Sequence, residues 1–383
     1  YDFKNFDYLL LACILLSVNV ASASTWQHFG GDPGAKRYSS LNQINRSNIG
    51  KLRKAWTTRT GEQEEFGKRY NFSLTVNTPA LIGDSIIACS AFNRIIALDP
   101  ATGSEKWRYD PWENTPLYDV VYYRCRGLAY WESNEKHPYL AKGECEQRLF
   151  MALPSNHVIA VNARDGTLCR DFGDEGRVFV DRASEMAIPA EIMLTNPGAV
   201  VGDVVVFGSL VADSYRASGP SGKVVALDVI TGEVRWEYDP IPRSPEDQRY
   251  ATWFNDSAKR GGGANVWTTM SVDEDRDLIF LPTGSPSPDM FGGFRQGKNE
   301  DANSVVALRG TTGEKVWSYQ IVHHDLWDYD LPAAPVLLDL KRNGEKVPAV
   351  VQTTKQGFIF VFHAITGEPL FNIVERPVPQ TTL

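Results

Sequence analysis

Short apolar stretches separated by turn residues run through this chain, and one such pattern keeps returning. Its clearest form is Ala97-Leu98-Asp99-Pro100-Ala101-Thr102-Gly103-Ser104-Glu105-Lys106-Trp107. It returns as Ala226-Leu227-Asp228 with Thr231-Gly232 and Trp236, and as Ala307-Leu308-Arg309 with Thr312-Gly313 and Trp317. Weaker copies are Ala160-Val161-Asn162 with Asp165-Gly166, and Val361-Phe362-His363 with Thr366-Gly367. An opening half-copy runs from Leu52 to Trp56 and on to Thr60-Gly61. Alternating apolar residues before each Ala-Leu-Asp predict a strand with one face buried. Thr-Gly or Asp-Gly predicts a tight turn, because glycine tolerates positive φ. The Trp then opens the next strand and offers a large apolar face to a neighbour.

A single hairpin of this kind cannot bury both faces of its sheet. Stacking small sheets radially does so, and the repeat therefore predicts an all-β fold of the β-propeller kind. Where consecutive units both carry the Trp, its positions lie about 50 to 80 residues apart, against ~40–50 for a bare four-stranded blade. The excess predicts long loops around residues 110–150 and 240–300, where a rigid scaffold carries its function.

Composition narrows the picture further. A chain with 10 Trp, 15 Tyr, 31 Gly and 22 Pro is turn-rich and aromatic, as β proteins are. A net charge of −8 with no basic stripe argues against a nucleic-acid partner. Residues Tyr8 to Ala21 form an apolar run broken by Ser17 and Asn19, followed by Ala21-Ser22-Ala23. This predicts an export signal cut after Ala23, or an uncleaved anchor, over residues 1–23, with the propeller over 24–383. Export permits disulfides, and Cys89, Cys125, Cys145 and Cys169 can pair in three ways that sequence does not separate. There is no Cys-x-x-Cys for zinc and no Cys-x-x-Cys-His for covalent haem.

The densest chemistry lies in Val322-His323-His324-Asp325-Leu326-Trp327-Asp328-Tyr329-Asp330-Leu331-Pro332. Buried carboxylates and imidazoles each need a partner or a shifted pKa, so such a run is costly unless it forms a site. Asp328 is the candidate general base, with Asp325 as its rival and His323 and His324 as groups that could orient it. Lys355 follows the strand-like Pro348-Ala349-Val350-Val351-Gln352. Alone, such a lysine reads as a solvated charge. Trp267 falls outside the Thr-Gly-x-x-x-Trp frame and follows Gly261-Gly262-Gly263, which lets backbone approach closely.

Together these segments resemble the pyrroloquinoline quinone (PQQ) dehydrogenases, and in particular their glucose/quinate/shikimate branch. The resemblance runs from about residue 26 to the end and is carried by Cys125-Arg126-Gly127, Gly263-Ala264-Asn265-Val266-Trp267, Leu281-Pro282-Thr283-Gly284, Pro288-Asp289-Met290-Phe291-Gly292-Gly293, His323 to Asp330 and Thr354-Lys355-Gln356-Gly357. It implies an eight-bladed propeller, here incomplete at about six blades and truncated at both ends, so that the fragment alone is marginal or aggregation-prone. It also implies a dehydrogenase of the periplasm or the periplasmic face of the inner membrane. Such an enzyme oxidises the CH–OH group of a sugar, polyol or cyclic hydroxy acid and passes electrons to a membrane quinone.

By the same resemblance Asp328 is the base, Lys355 meets the quinone oxygens of PQQ, and Trp267 lies flat beneath the ring system. Arg126 pairs with a cofactor carboxylate, Tyr122 lies in the cofactor site, and Asp213 is a ligand of Ca²⁺ or Mg²⁺. Three positions depart from the family pattern. Ser214 follows the metal aspartate where Asn is usual, Tyr122 stands where His is common, and Val76-Asn77 stands where an acid is common. They motivate the alternatives of an inactive relative or a propeller that serves as a protein-binding scaffold.

Overall fold

The computed structural model describes residues 26–68, 73–117, 123–134, 145–180, 188, 190–213 and 215–378. The leader expected over residues 1–23 lies outside them. Four four-stranded antiparallel sheets and one three-stranded sheet follow one another along the chain. The first comprises Ala80–Ile82, Ser85–Cys89, Ile95–Leu98 and Glu105–Tyr109, each strand paired with the next. The second runs from Ala129–Glu132 to Arg177–Phe179, the third from Ala199–Val201 to Val234–Tyr238, and the fourth from Ser271–Asp273 to Lys315–Gln320. The fifth runs from Val336–Arg342 to Ile359–His363. The opening strands of the second to fifth sheets are neighbours around a common axis. Among the described residues no helix is long and apolar enough to cross a membrane.

The core lies between sheets rather than on one side of them. Successive residues of a strand point to opposite faces. Leu149, Met151, Ile159 and Val161 of the second sheet pack with Ile87, Ile95 and Ala97 of the first. The intervening Phe150, Ala152, Val158 and Ala160 pack with Val205, Phe207, Val225 and Leu227 of the third. The third sheet's other face, with Val204, Val206 and Ala226, meets Ile279, Leu281, Val306 and Leu308 of the fourth. This is the radial stacking of a propeller, and it corrects one expectation. The middle strands bury both faces, so Val204–Phe207 and residues 149–152 read as continuous apolar runs, not as alternation.

The Thr-Gly repeat explains how the sheets lock. In the five copies the glycine N–H donates to the carbonyl four residues earlier, from Gly103 to Asp99, Gly166 to Asn162, Gly232 to Asp228, Gly313 to Arg309 and Gly367 to His363. Each of these glycines has φ between +72° and +79°. Four receive an indole from the preceding unit. Trp56 lies on Gly103, Trp107 on Gly166, Trp236 on Gly313 and Trp317 on Gly367, so close that an added Cβ would stand 2.4–2.6 Å from the ring. Trp236 and Trp317 also donate their ring N–H groups to Gly310 O and Ala364 O of the receiving sheet. The second sheet lacks a Trp at this place, and Val178 with Phe172 covers Gly232 instead.

Two further expectations change. The half-copy at Leu52 to Gly61 supplies the docking Trp56 but no strand, so among the described residues five sheets of three or four strands stand beside two two-stranded ones. The stretch expected as loop over 110–150 contains the strands Ala129–Glu132 and Gln147–Ala152. The cysteines pair as Cys89–Cys125 and Cys145–Cys169. A strap near the start of the described chain crosses the inner strands. Leu81 N donates to Trp26 O, Val272 N to Pro33 O and Leu337 N to Gly34 O, which joins the first, fourth and fifth sheets.

The docking contact predicts a graded response. Gly313→Ala combines positive φ with an indole 2.6 Å from the new methyl and is expected to cost roughly 3 kcal/mol. Gly344→Ala has φ +89° but open space around it and is expected to cost about 1 kcal/mol. Thermal unfolding of both variants measures the difference.

Candidate active site

In an up-and-down sheet the loops after the second and fourth strands share one end, opposite the Thr-Gly turns. The candidate residues all come from such loops. Arg126 precedes the second sheet, Trp267 the fourth and Asp328 the fifth, while Asp213, Asp289 and Lys355 lie between second and third strands of the third, fourth and fifth sheets. The topology thus gathers, at one mouth, residues more than 200 positions apart.

Their contacts form a chain. The Arg126 guanidinium stands 4.8 Å from the centroid of the Trp267 ring. The Trp267 indole N–H donates to Asp330 Oδ2 at 2.9 Å. Asp330 Oδ2 is 3.7 Å from Lys355 Nζ, which lies 3.0 Å from Asp328 Oδ1 and donates to the Asp328 carbonyl at 2.7 Å. Asp330 Oδ1 accepts from Ser285 N at 2.5 Å. Arg126 is held near Trp267 by its neighbour, since Cys125 is disulfide-bonded to Cys89 and pairs with Thr75. Asn77, where an acid was expected, donates its side-chain amide to Cys89 O, which a carboxylate cannot do. Tyr122 and Ser214 lie outside the described residues.

The two rival aspartates have separate positions. Asp325 is 1% exposed and accepts from Ser285 Oγ, Asn303 Nδ2, Trp327 N and Tyr329 N. It is the internal post around which the loop turns. Asp328, in left-handed backbone at φ +56°, points its carboxylate at Lys355 and the mouth. Neither histidine orients it, contrary to expectation. His324 Nδ1 bonds Gly297 O at 2.8 Å and His323 Nδ1 lies 3.2 Å from Glu375.

Four carboxylates feel one another across the mouth. Burial, then the charges of Asp289, Asp330 and Asp328, push Asp213 up to about 7. Burial, then Asp328, raises Asp289, and burial also raises Asp330. Neither Asp213 nor Asp289 forms an ion pair among the described residues. Such a cluster fits a cation, although no three His, Cys, Asp or Glu side chains among the described residues make a ready chelate. A metal on Asp213 would therefore complete its shell with other oxygens. The donor set also fits a flat polyanion. Trp267 is a platform, Arg126 and Lys355 are cations, and the buried Thr195 and Ser209 hydroxyls have no hydrogen-bond partner among the described residues. Both hydroxyls sit beside the Trp267 segment, because Asn265 donates to Ser209 O and Asn196 donates to Thr268 O. Asp330, Asp289, Ser285 and these hydroxyls were not singled out by the sequence. Asp330 and Asp289 stand inside quoted motifs, whereas the hydroxyls carry no local signal.

Residues 26–383 match the family model for the glucose/ethanol/alcohol dehydrogenase β-propeller domain of PQQ enzymes. The chain is 36% identical over 370 residues to quinoprotein glucose dehydrogenase A of Acinetobacter calcoaceticus, covering 94% of this chain and 45% of that protein. It is also 36% identical over 368 residues to the quinate/shikimate dehydrogenase (quinone) of Acinetobacter baylyi, covering 92% and 44%. The quinohemoprotein alcohol dehydrogenase ADHIIG of Pseudomonas putida HK5 superposes with a TM-score of 0.73 at 25% identity, covering 91% of this chain and 47% of that one. The fold and the matched family define a β-propeller of the quinoprotein class. The chain belongs to the PQQ-dependent dehydrogenase family, and it spans less than half the length of these relatives.

The division between the two aspartates is measurable. Asp325→Ala strips an acceptor from four donors and is expected to cost roughly 3 kcal/mol or more in urea unfolding. Asp328→Asn loses a half-exposed ion pair and is expected to change stability by less than ~1 kcal/mol.

Proposed function

We propose that this chain forms the cofactor-binding part of an exported, eight-bladed PQQ-dependent dehydrogenase. The enzyme oxidises the CH–OH group of a sugar, polyol or cyclic hydroxy acid and delivers electrons to a membrane quinone. One observation carries the reading. The Lys355 ammonium stands between Asp328 and Asp330, and Asp330 in turn holds the Trp267 indole. A scaffold propeller has no use for a base, a cation and a tethered aromatic plane at one mouth.

In this reading Trp267 supports the cofactor ring, and Arg126 meets one of its carboxylates. Asp213 holds Ca²⁺ or Mg²⁺. When bound, PQQ supplies the two-electron acceptor. Asp328 removes the substrate's hydroxyl proton. Lys355 keeps positive charge where negative charge develops on the acceptor oxygens, and in the resting site it holds Asp328 in place. Tyr122 stands in the same site by resemblance to the family.

Trp fluorescence of the full-length protein, titrated with PQQ, tests the proposal. Stoichiometric quenching that depends on Ca²⁺ or Mg²⁺ and is lost in Asp213→Ala is expected. Asp328→Asn is expected to keep the quenching and lower kcat by about 10²- to 10⁴-fold. No quenching with either metal sinks the reading in favour of a scaffold.

A further inference from the structure

Arg295 is 0% exposed yet forms no ion pair among the described residues. Its guanidinium instead spans two loops. Nε and Nη2 donate to Pro288 O at 3.2 and 3.1 Å, and Nη2 also donates to Asp289 O at 3.1 Å. On the other side Nη2 donates to Asp325 O, and Nη1 reaches Asn299 Oδ1 at 3.2 Å. Asn299 returns a bond from Nδ2 to Arg295 O at 2.7 Å. One loop carries Asp289, and the other carries Asp325, Asp328 and Asp330.

A buried cation served by carbonyls is an expensive arrangement, and burial draws Arg295 down to about 10. An apolar side chain would fill the same space at lower cost. The planar fork does what no apolar group can, since it fixes the gap between two loops from both sides. His324 repeats the clasp, with its N–H on Lys298 O and Nδ1 on Gly297 O. Gly292 leaves room for that ring, because a Cβ there would lie 2.2 Å from His324 Nε2.

We propose that Arg295 is a positioning residue for Asp328: by tying the Pro288–Asp289 carbonyls to the Asp325 carbonyl, it sets the width of the mouth and the place of the base. This rests on the reading of Asp328 as the base. Arg295 touches no reacting atom and acts through the loop.

The test is Arg295→Lys in the full-length protein, which keeps a charge but cannot reach both loops. Hydrogen exchange of the cofactor-free protein should accelerate over residues 323–330 while the sheets stay protected. PQQ quenching should stay at the wild-type level, and kcat should fall roughly 10- to 100-fold with KM near wild type. Unchanged exchange with unchanged kcat overturns the proposal. Loss of PQQ binding in step with kcat overturns it as well, because the residue would then only support the cofactor pocket. Should Arg295→Lys fail to fold, Asn299→Ala keeps the arginine and removes one anchor. A smaller change in the same two readouts supports the proposal, and wild-type values overturn it. Asp328→Asn separates the two layers: normal turnover in that variant defeats the base assignment, while exchange over 323–330 still reports on Arg295.

Discussion

The contact on which the architecture depends is an indole pressed on a glycine. The second, third and fourth sheets are apolar on both faces and cannot stand alone, so each must find the next at a fixed angle and depth. The Thr-Gly turn supplies a bare backbone at positive φ, and the Trp of the preceding unit fills the space a side chain would occupy. The ring N–H then finds a carbonyl of the receiving sheet at Gly310 or Ala364. The contact therefore fixes both distance and rotation. Because it sits at the end opposite the mouth, it sets the loops' relative placement without intruding on them.

That separation made the fold more legible than the site. The repeat requires glycine at one position and Trp at another, and both leave marks in sequence. The strand leading into Ala-Leu-Asp is buried on both faces, against the half-buried expectation, because Val224-Val225-Ala226-Leu227 serves two neighbours at once. Trp267, Asp328 and Lys355 were named through the family resemblance that their local runs carry, and the structure brings them within one chain of contacts. Arg295 and the buried hydroxyls of Thr195 and Ser209 were not. Arg295 works through main-chain carbonyls, which every residue has, and no spacing advertises that.

The site also shows how a mouth lined by carboxylates is held together. Asp213, Asp289, Asp328 and Asp330 face one mouth, and burial first, then neighbouring carboxylate charge, raises Asp213, Asp289 and Asp330. Lys355 offsets two of them directly. Among the described residues Asp213 and Asp289 keep no such partner, so the pair that faces the mouth stays receptive to a cation. The two ends of the constellation are thus unequal, one neutralised from within and the other left to a ligand.

Within the base loop, two aspartates three residues apart divide the labour that one could not perform. Asp325 is saturated by a hydroxyl, an amide and two backbone N–H groups, so it can neither move nor accept a further proton donor without loss. A catalytic base needs the reverse, a carboxylate with one open side and a fixed address. Asp328 gains its address from the turn that Asp325 builds and keeps its open side because its side-chain partner, Lys355, approaches from one direction. The same logic reaches outward to Arg295, which fixes the Asp325 carbonyl rather than the base itself. Rigidity in this loop is supplied three residues before the base, and that is what leaves the reacting group unencumbered.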